Sequence, residues 1–394
     1  MGTGPGPADE RSLAWEALPA FENPLHVGRP NIGDRAMFDS MVDQMFERRW
    51  LSNDGPLVQE FEARIAEFIG VKHCIAMNNG TLALEIAIRA LGLTGEVIVP
   101  SYSFVATAHA LDWLGITPVF ADIDPATHNL DTASVRAAIT PKTSGIIGVH
   151  LWGRPAPAKE LQEIADEHGL QLMFDAAHAF GCTLDGQRIG GFGRAEVFSF
   201  HATKFFNTFE GGAVVTNDDD VADQARHMRN FGFEGPDNVT TRGTNGKLTE
   251  ICAAMGLTNL ASVDEVIAVN HRNYLAYQSA LAGIAGIHLT QFDESETGNF
   301  QYITIEVDDE CLASRDDIVA GLTSKNVLAR KYFWPGIHRM QPYREQDPDA
   351  GSRLPNTERI ARRVIVLPTG TSVNENDIEL IAAMIRTLSG GHAS

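Results

Sequence analysis

Two residue types in this chain would, if brought together, hold and activate a flat aromatic aldehyde. The first is Asp175, in Phe174-Asp175-Ala176-Ala177-His178-Ala179-Phe180-Gly181. The apolar run Leu170–Phe174 ends in this carboxylate, and two small residues follow it. A carboxylate at a strand's end, in a cleft, can hold a protonated pyridine nitrogen. That charge-assisted bond keeps the ring electron-poor, so that it accepts carbanion density. An aspartate in this position also serves as an ordinary helix N-cap. The second is Lys204, which closes Val197-Phe198-Ser199-Phe200-His201-Ala202-Thr203-Lys204 and precedes Glu210-Gly211-Gly212-Ala213. An amine forms an imine only when deprotonated, and partial burial lowers its pKa to that end. Most lone lysines in loops are solvated surface groups. Here the neighbours are small or apolar, and the 29 residues from Asp175 to Lys204 span roughly one helix-plus-strand unit. That unit would return the chain to the same sheet edge.

Two further segments supply what such a ligand needs. In Asn78-Asn79-Gly80-Thr81, a polar turn opens a helix. Its backbone N–H groups and the Thr81 hydroxyl could bind an anion, although the same pattern is ordinary capping. The Ser199 hydroxyl could donate to a phosphate oxygen, and Gly211 and Gly212 permit close backbone approach. Pro100-Ser101-Tyr102-Ser103-Phe104-Val105-Ala106-Thr107 places aromatics after a strand, where a ring can stack on a planar ligand or pack in the core.

The elements that must position these groups read as an α/β fold. Short apolar runs stand at Val97–Val99, Val119–Ala121, Gly145–His150, Leu170–Phe174, Val197–Phe200 and Ala213–Thr216. Helical patterns precede or separate them at Pro56–Phe68, Thr81–Leu91 and Ala158–His168. Buried strands alternating with helices predict a mostly parallel central sheet with helices on both faces, and ligands at the strands' carboxyl ends. After about residue 260 the pattern changes. A helix at Val263–Leu281, an alternating half-exposed strand at Phe300–Val307, and helices at Ser314–Lys325 and Asn376–Leu388 predict a smaller α+β domain. The expected division is a loose arm over residues 1–20, a large domain over 21–258 and a small one over 259–394. The stretch Pro24–Trp50 is expected to pack with the small domain.

Composition excludes several function classes. The 394 residues carry a formal net charge of −20, which argues against nucleic acid, whose phosphates demand a cationic surplus. No apolar run is long enough for a membrane span, and the Gly/Pro-rich stretch Met1–Arg11 lacks the core of a secretory signal. Cys74, Cys182, Cys252 and Cys311 are scattered, so no metal site or disulfide frame is expected. Reduced thiols in a cytoplasmic protein fit this spacing.

The ordered set Asn78–Leu84, Pro100–Thr107, Phe174–Gly181, Phe198–Gly212 and Gly243–Gly256 resembles the DegT/StrS-type sugar aminotransferases, which are fold-type I pyridoxal-phosphate enzymes. The resemblance runs from about Leu51 to Thr371. It implies an aspartate-aminotransferase-like fold and pyridoxal 5'-phosphate as cofactor. It implies Lys204 as the Schiff-base and proton-shuttling lysine, and Asp175 on the pyridine nitrogen. His178 would stand near the ring's phenolate oxygen, and Phe104 would stack on the ring. Gly80, Thr81 and Ser199 would hold the phosphate, and Asn245 would reach it from the other subunit of a homodimer with shared sites. The surroundings of Lys204 resemble the branch acting at the sugar's 4-position. The implied reaction is amino transfer from L-glutamate to a nucleotide-linked 4-keto-6-deoxy hexose, with a dTDP sugar as the leading candidate. Arg330, Tyr332 and His338 mix cations with aromatics and could meet the sugar nucleotide. Tyr102, His150 and Trp152 follow strands and could line the sugar pocket.

Competing readings remain at this point. One is a transaminase acting at the 3-position. Another is a non-catalytic regulatory relative, against which Lys204 and Asp175 both speak. Dehydrating relatives replace the lysine by histidine, and a nicotinamide enzyme would need a glycine fingerprint that the chain lacks.

Overall fold

The computed structural model describes residues 13–390. Its centre is a seven-stranded sheet in the spatial order His73–Met77, Gly212–Thr216, Ala195–Ser199, Gln171–Asp175, Thr143–Val149, Glu96–Pro100, Thr117–Ala121. Only Gly212–Thr216 runs antiparallel to its neighbours. The expected α/β class and mostly parallel sheet hold. The strands are apolar without alternation because both faces are covered. On one face Ile75, Val97, Val99, Ile147, Met173, Val197 and Val214 pack against Leu84 and Ile88 of the helix Gly80–Ala90. On the other, Cys74, Ala76, Phe198, Ala213 and Val215 meet Phe61 and Ile65 of the helix Pro56–Ile69.

The helices start and stop where local chemistry dictates. Pro56 sits in the first turn of its helix, where a missing N–H leaves nothing unsatisfied, and Gly70 ends it at φ 85°. Asn79 caps the helix Gly80–Ala90 by accepting from the Leu82 N–H at 2.8 Å. The pairing register sets Met77 and Ser199 opposite Gly212, and Asp175 between Val149 and Val197, so that Ser199 stands two residues beyond Asp175 at the same end of the sheet. Gly212 enters the sheet at that end.

A second core forms between a three-stranded antiparallel sheet and three helices. The strands are Ile287–Leu289, Ile303–Val307 and Val364–Leu367, and the helices are Val263–Leu281, Arg315–Ser324 and Glu375–Leu388. The strand expected to be half-exposed over Phe300–Val307 is shorter and almost wholly buried. It is the middle strand. Its outer face abuts the large sheet's loops, with Glu306 on His128 at 3.0 Å. The N-terminal stretch also departs from expectation. Leu25–His26 does pair with Val327–Leu328 of the second unit. The helix Arg35–Arg48, however, presses Phe38, Met41, Val42 and Met45 into the large unit's core. Those four residues form a stripe at helical spacing that matches the helix Glu250–Leu260 rather than the smaller sheet. Most of the arm expected over residues 1–20 lies outside the described residues. From Leu13 onward it forms a helical turn, with Trp15 and Leu18 packed on the smaller core. Among the described residues no single helix is long and apolar enough to cross a membrane.

Candidate active site

Asp175 ends its strand inside the protein, with only 5% of its surface exposed. One carboxylate oxygen accepts from the Thr107 hydroxyl at 2.8 Å and the other from the Ala177 N–H at 3.1 Å. Thr107 sits on the short helix Ala106–Asp112 and also bonds the Ser103 hydroxyl at 3.0 Å. Burial raises the carboxyl above its ordinary range, while Thr107, Ala177 and the nearby Lys204 charge act the other way. No arginine or lysine forms an ion pair with it among the described residues, so it is a buried acid that a cation in the cavity would stabilise.

Lys204 lies in the loop after the strand Ala195–Ser199. Its Nζ donates to the Tyr302 hydroxyl at 3.2 Å. Burial pulls the amine down to about 8, and the Asp175 charge opposes that shift. His178 is pushed well below its usual value by burial and then by the Lys204 charge, so its ring is neutral. The Trp152 backbone N–H approaches His178 Nδ1 at 3.3 Å, which assigns the ring hydrogen to Nε2.

Asp175, Lys204 and His178 face one cavity of about 390 Å³. Asn79, Gly80 and Thr81 at a helix N-terminus line it, beside Ser199. The backbones are in close contact there. A Cβ on Gly212 would stand 2.6 Å from the Gly80 nitrogen, and one on Gly80 would stand 2.9 Å from Ser199 Cβ. A buried acid without a cation, a lysine held near neutrality and an anion-binding helix end on one cavity wall match the parts of pyridoxal phosphate: ring nitrogen, aldehyde and phosphate. The residues present therefore fit that group.

Of the residues picked out from sequence, Gly80, Thr81, Phe104, Asp175, His178, Ser199, Lys204 and Tyr332 share the cavity wall. Phe104 is 57% exposed, tilted against Phe333. Others are not brought there. Tyr102 is fully buried behind the wall and donates to the Tyr332 carbonyl at 2.7 Å. His150 is sealed inside, with Nε2 on Glu196 at 3.1 Å and its ring stacked on Phe174. Trp152 is also sealed, its indole N–H donating to His128 at 3.2 Å. It meets the site from behind, through its backbone N–H and through ring contacts with His178 at 5.8 Å and Tyr302 at 5.4 Å. His338 bonds Ser101 and Glu358 in the interior. Arg330 is exposed and lies over the Tyr332 ring at 5.0 Å, outside the wall. Asn245 is exposed, and its carbonyl accepts from Asn78 at 3.4 Å; its own chain's cavity wall does not include it.

Sequence reasoning missed Tyr302 and Thr107. Thr107 stood in a segment read only for its aromatics. Tyr302 contacts Lys204 from 98 positions away, just before the strand Ile303–Val307 of the three-stranded sheet, and no local pattern marks such a contact.

A model of the DegT/DnrJ/EryC1/StrS aminotransferase family matches residues 34–386. The chain is 37% identical over 369 residues to a protein of Escherichia coli named dTDP-4-amino-4,6-dideoxy-D-glucose transaminase, covering 93% of this chain and 98% of that one. It is 36% identical over 351 residues to the GDP-perosamine synthase of Caulobacter vibrioides, covering 87% and 93%. Among solved structures, DesI, analysed in the presence of its TDP-sugar product, superposes with a TM-score of 0.89 at 49% identity, covering 96% of this chain and 97% of the other. The fold is that of the fold-type I aminotransferases. Motif order, cavity chemistry and similarity along nearly the whole length agree, and the chain belongs to the DegT/DnrJ/EryC1/StrS aminotransferase family.

Proposed function

We propose that this chain uses pyridoxal 5'-phosphate to move the amino group of L-glutamate onto C4 of a nucleotide-linked 4-keto-6-deoxy hexose, dTDP-4-keto-6-deoxyglucose first among them. The product is a 4-amino-4,6-dideoxy sugar. The observation that carries this reading is the pairing of buried Asp175 with a near-neutral Lys204 on one cavity, above a helix N-terminus. The 4-position is supported by the similarity to the 4-amino-4,6-dideoxyglucose transaminase over 98% of its length. A transaminase of Streptomyces venezuelae named for a 3-amino sugar is 35% identical but matched over 83% of its own length.

When bound, pyridoxal phosphate supplies an electron-accepting ring and an aldehyde carbon able to carry an amine. The chain's own groups do the rest. Asp175 would hold the proton on the ring nitrogen. Asn79, Gly80 and Thr81 would receive the phosphate with Ser199, and Phe104 would stack on the ring. His178 would offer its Nε2 hydrogen to the ring oxygen. Lys204 Nζ takes the α-proton of glutamate and, in the second half-reaction, returns a proton at the sugar's C4. An amine titrating near 8 is matched to accept and give that proton close to neutral pH. We further propose a homodimer in which Asn245 reaches the partner's phosphate site.

The test is incubation of purified protein with glutamate and a panel of nucleotide keto sugars, followed by mass and NMR analysis. The expected product carries one new amine at C4 of a dTDP sugar. Amination at C3, or none with any sugar, contradicts the proposal.

A further inference from the structure

We infer that Tyr302 is a positioning residue for Lys204: its hydroxyl receives the amine whenever that amine is free, and so fixes where in the cavity the base stands. Lys204 Nζ donates to this hydroxyl at 3.2 Å and lies 5.6 Å from the ring centroid. The same ring meets His178 at 4.4 Å between centroids and Trp152, edge on, at 5.4 Å. Tyr302 therefore contacts both the amine and the imidazole whose protonation states the reaction depends on. A lysine amine rides on four rotatable bonds. Without a fixed partner it would sample several places, and a misplacement of about 1 Å can slow a reaction about a hundredfold.

The tyrosine itself is held from both sides. Asn299 donates to the carbonyls of His178 at 2.8 Å and Phe180 at 3.1 Å. Gln301 donates to the His178 carbonyl at 2.9 Å and accepts from the Phe205 N–H at 3.3 Å. Residues 299–302 are thus tied to the turn after Asp175 and to the residue after Lys204, just before the strand Ile303–Val307 begins. Burial pushes the Tyr302 phenol well above its usual value, so it stays neutral across the working range. Asp175, His178, Tyr332, His201 and Glu210 share the wall with the amine. Among the described residues, Tyr302 is the one whose side chain hydrogen-bonds Nζ.

The kinetic arm of the test rests on the proposed transaminase reading; the labelling arm does not. In the apoenzyme, competitive acetylation of Lys204 is followed against pH by mass spectrometry. The wild-type midpoint is expected near 8. Tyr302→Phe removes an acceptor that favours the charged amine, and the midpoint is expected to fall by about one unit. In the holoenzyme, kcat is expected to drop about tenfold or more, with KM for the sugar within about twofold. Tyr302→Leu, which also removes the ring, is expected to show the same midpoint shift together with a lower melting temperature. An unmoved midpoint in Tyr302→Phe overturns the inference. So does a kcat loss accompanied only by a lowered melting temperature, which would assign Tyr302 to packing. If the wild type aminates no sugar, the substrate reading fails while the midpoint still decides this question.

Discussion

Lys204 is surrounded so that its charge is costly and its neutral form useful. Burial lowers the amine to about 8 against the pull of Asp175. Only the neutral amine attacks an aldehyde. The rate at which the apoenzyme takes up pyridoxal phosphate is therefore expected to rise with pH and level off above about 8. Stopped-flow absorbance checks this, and a rate that falls over the same range would contradict it. Lys204→Ala is expected to abolish turnover and the visible absorption of the bound cofactor; transamination at the wild-type rate would refute its role. At this scale the sequence was legible where function had shaped a local string. Asp175 and Lys204 each stood beyond an apolar run, among small neighbours. Tyr102, His150 and Trp152 also followed strands, but their side chains turn into the packing and bond His128, Glu196 or backbone. Strand position alone does not say to which side a residue points.

At the scale of elements, the site is a joint between three backbones. The helix Gly80–Ala90 begins against Ser199 and Gly212, so close that neither glycine has room for a side chain. Gly212→Ala would push a methyl onto the Gly80 nitrogen, forcing the helix end away from the phosphate position. The expected loss is about 1–3 kcal/mol of stability, the usual range for overpacking. It should come with weaker pyridoxal phosphate retention, and thermal melting plus equilibrium dialysis would show both. Unchanged affinity would mean that the helix end does not hold the phosphate. The helices here were readable because caps and apolar spacing agree, as at Pro56 and Gly70. The strand Ile303–Val307 was misjudged as half-exposed because its outer face is covered by the other unit, a contact between distant segments.

For the whole molecule, the proposed second copy is what completes the cavity. Asn245 is exposed on its own chain and outside its own cavity wall, as a residue that serves a second copy would be. The proposed dimer predicts a specific rescue. Lys204→Ala and Asn245→Ala proteins, each impaired alone, should regain activity when mixed and allowed to exchange subunits. One site of each hybrid then has both native residues. No rescue from subunits shown to exchange would place Asn245 outside the partner's site. The sequence could not have decided this, because a turn residue that faces solvent and one that faces a partner look alike. The large-scale plan was more legible: buried strands without alternation announced a sheet covered on both faces. The packing of the helix Arg35–Arg48 escaped because an apolar stripe such as Phe38, Met41, Val42 and Met45 marks a buried face but not the core that it meets.

The most direct test of the central claim is to load the protein with pyridoxal phosphate, reduce it with borohydride and map the modified residue by mass spectrometry. A pyridoxyl group is expected on Lys204 in the wild type, with much less of it formed in Asp175→Ala. Modification of another lysine, or none at all, would contradict it.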